Sequence, residues 1–232
     1  MRKNPLTYYP FKRKSLKNLK VGVCVPARDE VHTSFAFDFA KMTAHDASVR
    51  CRDGKGGLQL YTMSGTLIFD QRERLAETAL KEGCDVVLFI DSDMRFPADT
   101  IDILLNRNVG ICGVNAVTRR KPCMPTAKQL IKDDKGHRWI NVDSRNKTGV
   151  EIVTSLGFGV TMIKKEVFKK VPKKWFEAGW GATGVIGEDV YFCVKAGDHG
   201  FDSFVDHDLS KHIGHIGVYE YTWNDIDKII NE

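Results

Sequence analysis

Residues 85–91, Asp-Val-Val-Leu-Phe-Ile-Asp, carry five consecutive apolar side chains between two acids. A strand with one wet face alternates apolar and polar residues. One without alternation has to be covered on both faces, which places it in the middle of a sheet with helices on either side. "KVGVCVP" at 20–26 and "VGICGV" at 109–114 repeat the pattern. Between the first two runs lies "DQRERLAETALKEG", residues 70–83, whose Leu75, Ala79 and Leu80 give a helix its apolar face. Asp70 and Glu73 have the spacing of a capping box, and Gly83 closes the helix. Strand, helix, strand, helix, strand implies an α/β fold, a mostly parallel sheet flanked by helices. In such sheets ligands bind beyond the carboxyl ends of the strands.

The remaining pattern is consistent with one domain over residues 20–232, behind a basic extension at 1–19. "TSFAFDFAKM" reads as a helix and "LQLYT" as a strand, and Pro97 opens a helix carrying Ile101, Leu104 and Leu105. "VEIVTSLGFGVTMI" reads as two strands broken at Gly157 and Gly159, and "KKEVFKKV" as a short helix. "GEDVYFCVKAGDHG" is a helix opened by acids, "DSFVD" a last strand and "WNDIDKIINE" a terminal helix.

Composition narrows the class. At 232 residues, 42% hydrophobic and 28% charged, the chain is of globular type. No run reaches the roughly 18 to 20 apolar residues of a membrane helix, and the first ten residues lack the apolar middle of a signal peptide, so a cytoplasmic protein is expected. Six scattered cysteines without a C-x-x-C pair are expected to be reduced and buried. Residues 1–20 hold seven basic side chains and no acid, so subtracting those seven from the net charge of +5 leaves −2. The body is therefore not a nucleic-acid binder by charge. The arm, with Tyr8, Tyr9 and Phe11, is either a solvated extension or a contact for an anionic membrane surface.

Three D-x-D patterns occur, and one is expected on the order of once by chance in a chain of this length. Asp225 with Asp227 falls in a polar segment. Asp206 with Asp208 lies in "DHDLSKHIGHIG", beside His207, His212 and His215. Asp91 and Asp93 end the most apolar strand, where two carboxylates repel and desolvate each other unless a cation lies between them. A hard divalent ion, Mg²⁺ or Mn²⁺, bridging to phosphate oxygens resolves that conflict. Helix capping by Asp93 is the plainer alternative. His215, between Gly214 and Gly217, is the first candidate to join the metal and His212 the second. In "GWGATGVIGEDVYF", Trp180 offers a flat face to a sugar ring, and Glu188 and Asp189 stand at a helix start as general base or as caps.

In order, "VPARDE", "LFIDSDMRFP", "GFGVTMIKKEVF", "GEDVYFC" and "HIGHIG" resemble the GT-A fold, family 2-like glycosyltransferases over roughly residues 20–220. The resemblance implies a Rossmann-like domain in which Pro26, Ala27, Arg28 and Asp29 meet the base and ribose of a nucleotide sugar, and Arg72 faces the nucleotide or its diphosphate. It implies that Asp91, Ser92 and Asp93 hold metal and ribose, His215 completes the metal site, and Gly157 and Gly159 line the sugar pocket with Trp180. Asp189 becomes the catalytic base of an inverting enzyme, with Glu188 on sugar hydroxyls. "VPARDE" departs from the family's commoner opening. The expected donor is UDP- or GDP-linked and the acceptor a carbohydrate-type hydroxyl, with Arg119, Arg120 and Lys121 as further cations for the leaving group. The alternatives are a sugar nucleotidyltransferase, whose glycine-rich basic loop "VPARDEVHTS" lacks, a non-catalytic nucleotide-sugar binder, or a zinc hydrolase on His207, His212 and His215.

Overall fold

The computed structural model describes residues 18–49, 51, 57–134, 136–181, 184–217 and 219–226. The basic arm before residue 18 and most of the expected terminal helix lie outside them; of that helix, Trp223–Asp225 form a 3-10 turn.

The first half alternates as the sequence dictates. Strand β1 (Lys20–Ala27) leads to helix α1 (Thr33–Val49), β2 (Gly57–Ser64) to α2 (Ile68–Lys81), and β3 (Val86–Ile90) through a short β4 (Met94–Arg95) to α3 (Thr100–Arg107) and β5 (Ile111–Val114). The second half adds a hairpin, β6 (Lys128–Asp133) and β7 (Gly136–Asn141), then β8 (Val150–Val153), β9 (Val160–Lys164) and α4 (Lys165–Lys170). A second hairpin, β10 (Gly179–Gly181) and β11 (Gly184–Ile186), runs into α5 (Glu188–Asp198). The chain closes with β12 (Ser203–Asp206), α6 (His207–Ser210), β13 (Gly214–Ile216) and β14 (Glu220–Tyr221). "DSFVD" is thus β12, but two short strands follow it.

Seven strands form one sheet in the order β2-β1-β3-β9-β5-β12-β8. Strands β2, β1 and β3 run parallel, as do β5 and β12, while β9 is antiparallel to both β3 and β5 and β8 is antiparallel to β12. The sheet is mostly parallel, and helices cover both faces. Side-chain alternation decides what each face receives. Val21, Val23, Val86, Leu88 and Ile90 join Phe35 and Met42 of α1 and Ile101, Leu104 and Leu105 of α3. Cys24, Val87 and Phe89 point the other way, against Leu75, Ala76 and Ala79 of α2 and Phe192 of α5. Cys24, Cys84, Cys112, Cys123 and Cys193 are buried free thiols and Cys51 is half-buried. Burial pushes the thiols of Cys24, Cys112 and Cys193 up, Cys193 to about 12.

Helix α2 departs from its expected start. It begins at Ile68 with Leu67 at the cap position and no side-chain cap bond, so Asp70 sits inside the first turn. Glu73 accepts instead from the backbone amides of Lys174 and Phe176, at 3.1 and 3.0 Å. A distant segment took the carboxylate that local spacing had assigned to a cap. Gly83 does end the helix region, with φ +85°. Among the described residues no helix is long and apolar enough to cross a membrane.

Candidate active site

The carboxyl ends of β1, β2 and β3 open on one edge of the sheet. Cys24 pairs with Phe89, so β1 and β3 stay in register to within two residues of Pro26 and Asp91. Pro26 and Ala27 are buried, and Arg28 and Asp29 are exposed just beyond them. Gln71 of α2 donates to the carbonyls of Ala27 and Met63, both at 2.8 Å, fixing the ends of β1 and β2 together.

The alternation that sends Val87 and Phe89 toward α2 sends Asp91 there too. Its Oδ1 lies 2.7 Å from Arg72 Nη2. Arg72 Nη1 holds Glu188 Oε1 from the start of α5, and the guanidinium lies over the rings of Phe158 and Phe89 at 5.6 and 5.9 Å. Arg72 is 3% exposed. Its terminal nitrogens are paired with two acids and it has almost no open surface. Burial raises the Asp91 pKa, with Arg72 opposing and Asp93 adding to it. Burial likewise raises that of Glu188, again against Arg72 and with Asp189 adding to it. Burial works to lower the Arg72 pKa, but Asp91, Glu188 and Asp189 together outweigh it and hold the guanidinium charged.

Asp93 is handled by different elements. The backbone turns through Ser92, with Met94 N on Asp91 O at 3.1 Å, and β4 then pairs with β13, setting Met94 opposite His215. Ile216 N donates to Asp93 O at 2.7 Å, so the two segments are locked side by side. His215 Nδ1 lies 2.7 Å from the Val117 carbonyl. A carbonyl only accepts, so Nδ1 carries a proton and Nε2 is the nitrogen left for Asp93. That nitrogen faces Asp93 Oδ1 at 3.5 Å, long for a hydrogen bond. Oδ1 is buried with no hydrogen-bond partner among the described residues. Asp93 Oδ2 pairs with Arg119 Nη1 at 2.7 Å. Burial tends to raise the Asp93 pKa, yet His215 and Arg119 outweigh it and hold the carboxyl below its ordinary value.

The expected metal trio is thus not assembled. Asp91 is turned to Arg72, and among the described residues no group of three or more His, Cys, Asp or Glu side chains is placed to hold a metal ion. His215 Nε2 and Asp93 Oδ1 do face each other at 3.5 Å, an ion pair when the ring carries a second proton and two lone-pair donors when it does not. That pair fits a divalent cation of the kind that takes one or two protein ligands and fills its shell with phosphate oxygens and water. His212 is exposed, on the far side of Ile213 from the paired β13 strand. His207 is 1% exposed and bound between Ser144 Oγ at 2.8 Å and Glu151 Oε2 at 2.9 Å, which removes it from a zinc site. Asp206 caps α6 and pairs with Arg107 at 2.7 Å.

Asp189 lies in the first turn of α5, half-buried, beside Glu188. Its Oδ1 accepts from Val190 N at 2.7 Å, and a Cβ on Gly187 would come within 2.7 Å of that oxygen, so glycine clears the carboxylate's place. Gly159 O accepts from Asp91 N at 2.9 Å, and a Cβ at Gly159 would sit 3.0 Å from Met94 sulfur. Gly157 is buried against Thr126. Both glycines allow close packing, Gly159 next to Asp91 and Gly157 on Thr126. Trp180 pairs across its hairpin with Val185 and is 85% exposed, one short strand before Glu188.

The crystal structure of A197 from STIV superposes on this chain with a TM-score of 0.50 at 16% identity, covering 86% of both chains. The likeness extends to the fold, and the mixed seven-stranded sheet is of the Rossmann-like, GT-A kind. No family model matches the sequence, and neither does any curated protein.

Proposed function

We propose that this chain is a metal-dependent glycosyltransferase that moves a sugar from a nucleotide-sugar donor to a carbohydrate-type hydroxyl, with inversion. The observation that carries the reading is the buried Asp93 Oδ1 facing His215 Nε2 at the carboxyl edge of the sheet, two residues from Asp91, which Arg72 ties to Glu188. With the imidazole neutral, Oδ1 and Nε2 are two acceptors side by side, and a divalent cation would take the place that the ring's second proton otherwise fills.

In this reading Pro26, Ala27, Arg28 and Asp29, at the end of the strand beside β3, form the wall for base and ribose. Ser92 sits in the turn between the two aspartates. Asp93 and His215 would hold Mn²⁺ or Mg²⁺, which when bound neutralises the charge growing on the departing diphosphate. Arg72 keeps Asp91 and Glu188 in place from behind. Asp189, half-buried in the first turn of α5, takes the proton of the attacking hydroxyl. Trp180 supplies an apolar face for a sugar ring.

The test pairs two variants. Thermal shift with Mn²⁺ and UDP- or GDP-sugars is expected to show stabilisation, about 2.7 kcal/mol at 100 times the dissociation constant. Asp93→Ala should abolish the metal-dependent part. Asp189→Asn should keep it and lose about 10²- to 10⁴-fold in transfer. Metal-dependent nucleotide binding that survives Asp93→Ala unchanged would sink the proposal, and undiminished transfer by Asp189→Asn would remove the base.

A further inference from the structure

Arg119 already supplies a positive charge to Asp93, on the carboxylate oxygen other than the one that faces His215. It belongs to the loop after β5, whose neck is closed by paired backbone: Val117 bridges Pro125, Thr118 N donates to Met124 O at 2.9 Å, and Met124 N donates to Thr118 Oγ1 at 3.0 Å. The neck presents two groups to one carboxylate. The Val117 carbonyl orients His215 toward Asp93 Oδ1, and two residues on Arg119 Nη1 grips Asp93 Oδ2 at 2.7 Å and reaches the Ile216 carbonyl at 3.4 Å. A Cβ on Gly217 would come within 3.3 Å of Arg119 Cδ, so the glycine gives the arginine its path. Arg72, by contrast, is sealed among aromatic rings.

The Arg119 side chain is 47% exposed. Asp93 is only 19% exposed, but the guanidinium end is open to water, so it leaves the carboxylate at small cost once an entering cation takes over its charge. Its planar fork matches phosphate oxygens.

We infer that Arg119 is an exchangeable counter-ion: it neutralises Asp93 while the metal is away, yields the carboxylate to the entering cation, and turns its guanidinium onto the diphosphate that arrives with it. The inference rests on the reading of Asp93 and His215 as metal-binding. It gives one side chain opposite effects on two ligands, which loss of structure cannot imitate. The site keeps a balanced charge in both states, and the diphosphate finds its arginine only once the cation is in place.

The experiment titrates the full chain with Mn²⁺ alone, followed by the free-ion electron paramagnetic resonance signal, and then with pyrophosphate in saturating Mn²⁺ by calorimetry. Arg119→Met is expected to bind Mn²⁺ alone about five-fold more tightly, the equivalent of the roughly 1 kcal/mol that such exposed ion pairs contribute. It is expected to bind Mn²⁺-pyrophosphate at least ten-fold more weakly, with Arg119→Lys recovering part of the loss. Mn²⁺ affinity no higher than wild type, or pyrophosphate affinity unchanged, overturns the exchange. Asp93→Ala in the same titration separates the two levels. If it leaves Mn²⁺ binding intact, the metal reading itself fails, whereas if it abolishes binding while Arg119→Met behaves as wild type, only the exchange does.

Discussion

Arg72 is the side chain on which the candidate site turns. One guanidinium spans Asp91 and Glu188, acids delivered by a strand and a helix far apart in sequence. Removing one member of a buried ion cluster leaves the others charged and unpaired, which costs about 3–5 kcal/mol. Arg72→Met is therefore expected to lose that much stability in urea denaturation. Arg72→Lys should recover only part of it, because a point charge cannot bridge two carboxylates. The clue was in the sequence: Arg72 stands three residues before Leu75 and four before Ala76, both buried, so helical spacing turns it inward with them. Reading α2 by its apolar residues alone hid that burial, and with it the pairing to Asp91 and Glu188. Asp91, Asp93 and His215 were legible as a group. Their division between two cations was not, because it depends on which face of the sheet each carboxylate meets.

The helices and strands of the first half were readable because each is long enough to show its period. The short ones were not: β4, β13 and β14 are two or three residues each, and pairing across the chain defines them. Yet β13 is what carries His215 to Asp93. The α2-to-sheet contact is tight at Gly22, where a Cβ would meet Ala79 Cβ at 2.8 Å and Cys84 Sγ at 3.0 Å. Gly22→Ala pushes α2 outward and is expected to cost about 1–3 kcal/mol, measured by chemical denaturation. The β10–β11 hairpin makes the opposite prediction. Trp180 is mostly open, so Trp180→Ala should change stability by less than about 0.5 kcal/mol, checked by thermal unfolding, while sugar affinity falls.

Across the whole molecule, one polar thread runs through the interior beside the sheet. Asn115 donates to Ser144 Oγ at 3.0 Å, Ser144 and His207 share a bond of 2.8 Å, and His207 meets Glu151 at 2.9 Å. Burial tends to raise the Glu151 pKa, but Lys147 and His207 outweigh it and depress the value below the ordinary 4.5. A depressed carboxylate adds stability that is present above its unfolded value and lost as pH falls through the folded one. Glu151→Gln should therefore flatten the decline in melting temperature between about pH 5 and pH 3, followed by circular dichroism. Nothing in local spacing announced this thread, whose members lie on separate segments and meet only once the sheet has closed.

The sheet closes late. Strand β9, residues 160–164, is wedged between β3 and β5, both finished far earlier in the chain. A ribosome making this protein extends β3 and β5 with the slot between them unfilled, on the order of seconds before the missing piece emerges. Two bare apolar edges wait side by side for that time, the moment when neighbouring nascent chains can pair with them instead. Slowing translation between residues 114 and 160 should therefore lower the soluble yield more than the same delay placed after residue 170.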